Sequence, residues 1–580
     1  MKRLAALSII VLLAVAGWAT FQSLAQNVTH SPAASLARLM PPNALVFLEA
    51  RDFGAILRQW NSSSEKQLWL TTGNHEVFSG SRLFLRLKQA QDEFASAAGL
   101  APDMSFLGDV AGQQSALAIY DIGKLEFLYI ARLPSARAIG SGIWQQRARF
   151  ETREIDGRTF YVRTDPQSQR VVAFAMDDDH LILATREDLV VAALALLADQ
   201  KTAALNQQGW FVDAIKSAKD PGELRLVVHL AEVTKTPQFR TYWVQQNITE
   251  LRQYESSVSD LFRSPDTYRE ERVLLLKDAQ GGANTADAGP QVAELMRLVP
   301  PDVGVYRASA APSVEDSLAL LEQKVLTPRL GPTPPSSLAP NMAAPEQPTG
   351  KESDLDVRID TPVSTAAEET NGDLALRAIL QQANVRAALQ LHRSVAGPDG
   401  VFVGLHSTLV LQGTTDWDEL AVEQAIQRIV SPELTASSLG VAWKKVAGKQ
   451  SGGAADSYSE LDGLARIAIA VRGKCLFVSN DPPTLVAALA RISQPSSAEP
   501  AIYYAGFDHR RERQNFLRLT TLIDQPSRSN AAGNETREPQ FFSQNLASLS
   551  QTLAAVKSES IVAKRTGGVE TQTVRYDWAP

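Results

Sequence analysis

The sequence predicts an α+β fold: two tandem, related domains, each an antiparallel sheet of hairpins with helices mainly on one face. Three observations lead there. Residues 172–197 (VAFAMDDDHLILATREDLVVAALALL) align without a gap on 467–492 (IAIAVRGKCLFVSNDPPTLVAALARI), eight of 26 positions being identical at an offset of 295. Residues 36–50 (LARLMPPNALVFLEA) align on 295–309 (LMRLVPPDVGVYRAS), sharing Leu36, Arg38, Leu39, Pro41, Pro42 and Val46 at an offset of 259. Alternating apolar runs joined by turn residues also outnumber strand-helix-strand patterns, which favours antiparallel sheets. A chain of 580 residues is too long for one hydrophobic core, so a repeat of this length is read as a domain.

The chain opens with MKRLAALSIIVLLAVAGWATFQSLAQ, which has the form of an export signal. Lys2 and Arg3 lead into an apolar run, and small residues precede a cleavage point between Ala25 and Gln26. Residues 1–25 are read as a signal peptide, with a retained membrane anchor as the competing reading. Leu4 to Leu24 is 21 residues, close to the ~20 that cross a bilayer. The expected address is periplasmic or extracellular, with a single N-terminal tether if the segment is kept.

The first repeat is assigned to 30–278. Residues 115–133 predict a hairpin turning at Ile122-Gly123-Lys124, with 400–413 as its counterpart in the second copy. Residues 150–164 predict another, turning at Asp156-Gly157, a strong short-range hairpin signal. After the hairpin at 172–184 comes a helix, for which Thr185 and Asp188 have capping-box spacing. Its alanines read as packing against a sheet. Residues 279–290, small and polar, are read as a flexible linker to the second repeat at 290–580. The two offsets differ by 36 residues, so the second copy should hold an insertion of about that size. Residues 327–371, with eight prolines, supply it, and their composition predicts disorder.

Residues 176–180 read MDDDH, so Asp177, Asp179 and His180 are weak metal-ligand candidates. The second copy has Arg472-Gly473-Lys474 at the tip and Cys475 in place of His180, which favours a solvated turn. Neighbouring strand residues also point to opposite faces and converge poorly on one ion.

Composition narrows the rest. The formal charge is −7, and removing Lys2 and Arg3 takes it to −9; with no basic tract, nucleic acid is an unexpected partner. Cys475 stands alone, so no intrachain disulfide or cysteine-cluster site can form, and it reads as a small buried hydrophobe. Phosphate-loop, dinucleotide, zinc-protease and nucleophile-elbow motifs are absent from the sequence. Ser63-Ser64-Glu65-Lys66 has Ser-x-x-Lys spacing but lacks that chemistry's companion motifs. The charged run DHRRERQ at 508–514 reads as an exposed turn or helix start, and His75-Glu76 has no second ligand group near it. His229, His392 and His406 read as packing histidines. No catalytic residue and no cofactor is assigned.

Leu39, Pro41 and Pro42, and again Leu298, Pro300 and Pro301, place Leu-x-Pro-Pro ahead of an aliphatic strand at the start of each copy. With the export signal, this resembles a broad group of uncharacterised exported bacterial proteins carrying a tandem domain of unknown function. The resemblance implies no activity. The expected function is a non-catalytic envelope protein that binds a protein or ligand partner, with an envelope hydrolase built from the loops of one copy as the alternative.

Overall fold

The structure is a computed structural model. It describes residues 34–578 apart from 72–74, 76–78, 81, 199–201, 238, 240–250, 279–286, 327–370, 398–402, 435–441, 448–456, 463–465 and 524–555. The signal segment with Ala25 and Gln26, the proline-rich insertion up to residue 370 and most of the linker lie outside the described residues.

Among the described residues, twenty strands form one antiparallel sheet. The first half supplies β1 (Val46–Ala50), β2 (Gln114–Asp121), β3 (Glu126–Arg132), β4 (Glu151–Ile155), β5 (Arg158–Thr164), β6 (Val171–Asp177), β7 (His180–Ala184), β8 (Leu224–Val228), β9 (Tyr254–Ser264) and β10 (Thr267–Leu276). The second supplies β11 (Val305–Ala310), β12 (Ala387–Ala396), β13 (Val403–Gln412), β14 (Ala442–Val446), β15 (Tyr458–Asp462), β16 (Ile467–Arg472), β17 (Cys475–Ser479), β18 (Tyr503–Asp508), β19 (Val556–Thr566) and β20 (Val569–Trp578).

In space the first half runs β4-β5-β6-β7-β3-β2-β1-β8-β9-β10. The second runs β14-β15-β16-β17-β13-β12-β11-β18-β19-β20, the same order shifted by ten strands. Antiparallel pairing of β10 with β20 fuses the halves, so the combined order is palindromic about that seam. Tyr254 Oη of the first half donates to Glu570 Oε2 of the second at 2.9 Å, and Arg565 Nη2 reaches the same oxygen at 2.5 Å. The two halves therefore share one sheet.

Among the described residues the α-helices of seven or more residues are α1 (Phe53–Ser62), α2 (Ser64–Thr71), α3 (Arg82–Ala98), α4 (Met104–Val110), α5 (Glu187–Leu197) and α6 (Gly209–Ser217) in the first half. The second has α7 (Gly289–Leu295), α8 (Val314–Leu321), α9 (Asn371–Ala383), α10 (Glu419–Leu434), α11 (Pro482–Leu489) and α12 (His509–Ile523). They cover both faces of the sheet. Ala173 and Ala175 of β6 join a core with α5 and α6, while Val172 and Phe174 join another with α3 and α4. In the second half Ala468 and Ala470 pack with α7 and α11, and Ile467 and Ile469 with α8, α9 and α10. β7 and β17 are buried at every position, the signature of strands sandwiched between two layers. The α+β class stands, with helices on two faces where the pattern suggested mainly one.

Local signals fare unevenly. Asp156 (φ 50°) and Gly157 (φ 75°) form the two-residue turn between β4 and β5, both in the left-handed region that such a turn needs. The 115–133 hairpin forms as β2 and β3, but residues 403–412 are the second strand of its counterpart, whose first strand is β12. Thr185 does not close a capping box: its Oγ1 accepts from Phe127 N at 2.9 Å, tying α5 to β3. Asn480 Oδ1 accepts from Ser407 N at 2.7 Å in the corresponding place. Ala193 and Ala488, buried in α5 and α11, occupy equivalent positions.

Candidate functional site

The MDDDH stretch is the tip of the β6–β7 hairpin, where Asp177 pairs with His180 and Asp178 adopts φ 49°. The main chain of the tip is anchored from outside. Leu133 N donates to Asp179 O at 2.7 Å, and Ser135 Oγ donates to Asp178 O at 2.8 Å. Asp177 forms an ion pair with Arg158, and Asp179 Oδ1 lies 2.9 Å from His180 Nδ1. His180 is 7% exposed, and burial lowers its pKa against the pull of Asp179. Among the described residues no three His, Cys, Asp or Glu side chains gather as a metal would require. The turn exists, although its acidic groups face an arginine and a histidine as well as solvent.

Other sequence candidates resolve into structural parts. Ser63 Oγ donates to Trp60 O at 2.8 Å and accepts from Lys66 N at 3.1 Å, while Lys66 Nζ turns to Asn61 Oδ1 at 2.6 Å. The Ser-x-x-Lys spacing is thus a junction between α1 and α2. Cys475 is buried, and burial pushes its thiol up to about 11. His229 stacks on Trp210 with centroids 4.3 Å apart. The DHRRERQ run starts α12 but is not simply exposed: His509 and Glu512 are 8% exposed, and Glu512 Oε2 accepts from Ser394 N at 3.1 Å. His392 Nδ1 lies 2.9 Å from Ser407 Oγ, but Ser407 is 3% exposed and a substrate cannot reach it in this arrangement. Glu76 lies outside the described residues.

One apolar concavity was not marked by any motif. A cavity of about 720 Å³ lies between the sheet and the layer of α3 and α4. Leu48, Leu117 and Leu183 form its floor, and Phe84, Phe94 and Phe106 its roof. Strand alternation explains the floor: Phe47 points to the opposite core, so Leu48 points here. On α3, Phe84, Leu87, Gln91 and Phe94 recur at helical spacing and so share a face. This stripe is the available sequence signal, and a stripe of that kind reads equally well as ordinary core.

Polar groups in the cavity are already engaged. Tyr129 Oη donates to Val110 O at 2.8 Å and lies 3.0 Å from Ser115 Oγ. Burial drives the Tyr129 pKa well above the usual phenol range. At the rim Arg170 Nη2 binds Glu93 Oε2 at 2.8 Å, and Lys88 Nζ binds Asp92 Oδ1 at 3.0 Å. Leu85 and Leu87 of α3 and Met104 of α4 are exposed at 57%, 43% and 39%. Among the described lining residues are no His, Cys, Asp or Glu. The arrangement can desolvate an apolar molecule.

No family model matches the chain, and no curated protein does. Three solved structures are similar over a part of it, under the titles "Structure of crystal form I of TP0453", "Structure of crystal form IV of TP0453" and "Structure of crystal form III of TP0453". The first is 11% identical with a TM-score of 0.22, covering 42% of this chain and 80% of that one. At that score the likeness carries no argument about fold or function.

Proposed function

We propose that this is an exported, non-catalytic protein of the cell envelope that binds an apolar ligand, such as a lipid acyl chain, in the cavity beneath α3 and α4. The observation that carries the reading is a volume of about 720 Å³ walled by aliphatic and aromatic side chains with its polar groups paired internally. That volume is in the range of small-molecule sites, roughly 300–1,000 Å³. The export signal at 1–25 and the doubled scaffold support the envelope address and an origin by tandem duplication. The matching strand order is what a duplicated segment would produce.

The test is titration of the purified protein with a fluorescent long-chain fatty acid. Ala90→Trp, which fills the cavity from α3, and Leu87→Glu, which charges its rim, are expected to weaken binding tenfold or more. Absence of binding, or binding indifferent to both variants, defeats the proposal. The hydrolase alternative predicts turnover of ester, peptide or glycoside substrates by the same preparation, abolished by one point mutation.

A further inference from the structure

On the opposite face of the first half, a polar row crosses the sheet. Phe47, Ile130, Ile182, Val227 and Val258 all face the core shared with α5 and α6, so Glu49, Arg132, His180, Arg225 and Asp260, two residues along each strand, share that face. Gln114 stands beside Ala116 in the same sense. The register links them. Asp260 pairs with Arg225, Arg225 with Glu49, Gln114 with Arg132, and Arg132 with His180. Gln114 Nε2 closes the remaining gap by donating to Glu49 Oε1 at 2.9 Å.

The same places in the second half show that the fold does not need these charges. There the register puts Val562, Tyr504, Ala308, Ala387, Gln412 and Cys475 along the corresponding row. Burying charged groups on a sheet face is unfavourable unless each finds a partner. A row kept by one copy and dispensed with by the other is a mark of use rather than of folding.

A cleft of about 800 Å³ opens over this row. Its carboxylates are engaged by neutral donors: Glu49 accepts from Ser35 Oγ and Leu36 N, both at 2.8 Å, and Asp52 accepts from Ala55 N at 2.7 Å. Arg225 is held by Asp260. Three further cations, Arg51, Arg132 and Lys216, line the cleft, and among the described residues none of them has a hydrogen-bonded or ionic side-chain partner. Arg132 Nε is buried without an acceptor, and Gln114 Oε1 is buried without a donor. Phe211 and Ile215 of α6 add an apolar wall. An orphaned buried guanidinium N–H is costly and asks for an acceptor.

We infer that this cleft is a binding site for a small organic oxyanion, a carboxylate or phosphate ester, whose charged group sits on Arg132 with help from Arg51 and Lys216 and whose apolar part lies against Phe211 and Ile215. Arg132 offers the planar fork that matches either oxyanion. The site is separate from the acyl-chain cavity, which lies across the sheet, and stands or falls without it.

Calorimetric titration of the full-length protein with phenylpropionate, phenyl phosphate and inorganic phosphate tests the inference. At least one aromatic oxyanion should bind, and more tightly than inorganic phosphate. Binding of phenylpropionate alone assigns a carboxylate, and of phenyl phosphate alone a phosphate ester. Arg132→Gln, which installs the residue of the second half, should weaken binding about tenfold or more with an unchanged melting temperature. Lys216→Gln, on the helix surface, should weaken it several-fold and serves as the decisive variant should Arg132→Gln unfold. The inference is overturned if neither aromatic probe binds, if inorganic phosphate binds as well as they do, or if folded variants bind like the parent.

Discussion

Arg225 and Asp260 give the sharpest test of how the two halves relate. Their side chains are 9% and 5% exposed, joined by Nε–Oδ1 and Nη2–Oδ2 contacts of 2.8 and 2.7 Å. Gly222 N adds a third donor to Asp260 at 3.0 Å. Asp260→Val leaves a guanidinium buried without its counter-charge, a loss of about 3–5 kcal/mol. For a cooperative unit of 150–250 residues that corresponds to a fall of roughly 6–20 °C in melting temperature. Arg225→Tyr together with Asp260→Val reproduces the Tyr504 and Val562 pair of the second half. Swapping a buried ion pair for packed hydrophobic groups is often neutral or stabilising. The double variant should therefore recover most of the loss, within about 1–2 kcal/mol of the parent. The assay is thermal unfolding followed by circular dichroism on all three proteins. A double variant that melts as low as Asp260→Val refutes the claim that these positions are interchangeable between halves.

Further predictions concern the seam, the thiol, the hairpin tip and a close approach. Deleting residues 569–580 removes β20 and bares the β10 edge, so light scattering should show association that the intact chain lacks. Burial raises the Cys475 thiol from 9.0 to about 11, so the neutral form is favoured when folded. That contribution, roughly 2–3 kcal/mol, is present below pH 9 and lost as pH rises through 11. Cys475→Ala should accordingly show a shallower alkaline fall in melting temperature than the parent. Millimolar Zn²⁺ should leave the melting temperature unchanged, and a rise that Asp179→Asn abolishes would restore the metal reading of the hairpin tip. Gly112→Ala should destabilise by about 1–3 kcal/mol, because a Cβ there would overlap the Arg132 carbonyl oxygen; an unchanged melting temperature would contradict that.

Several elements were legible in the residues because their causes are local. Asp156-Gly157 tolerates the left-handed backbone that a two-residue hairpin requires, so that turn could be placed without a structure. The burial of Cys475 followed from the apolar run Cys475–Val478 that it opens, and the place of Ala193 followed from the shared VAALA stretch. Thr185 was misread because its hydroxyl had two outlets, a helix N-terminus and the main chain of β3, and the choice between them depends on a residue 58 positions away. The Ser63 spacing misleads for the opposite reason: an entirely local helix junction satisfies both side chains.

The amino-acid pattern by itself determined an α+β layout of antiparallel hairpins, the turns at Asp156-Gly157 and at the MDDDH tip, and which strand positions are apolar, because each depends on residues close in sequence. Tertiary structure alone decided that the two halves fuse through β10 and β20, that helices cover both faces, and that Leu48 and Phe94 enclose a cavity while Glu49 and Arg132 share the other face. Strand pairing and the spaces left between layers are set by residues tens to hundreds of positions apart. Period-two alternation says that neighbours on a strand face opposite ways, but which layer each meets is settled only when the sheet is assembled.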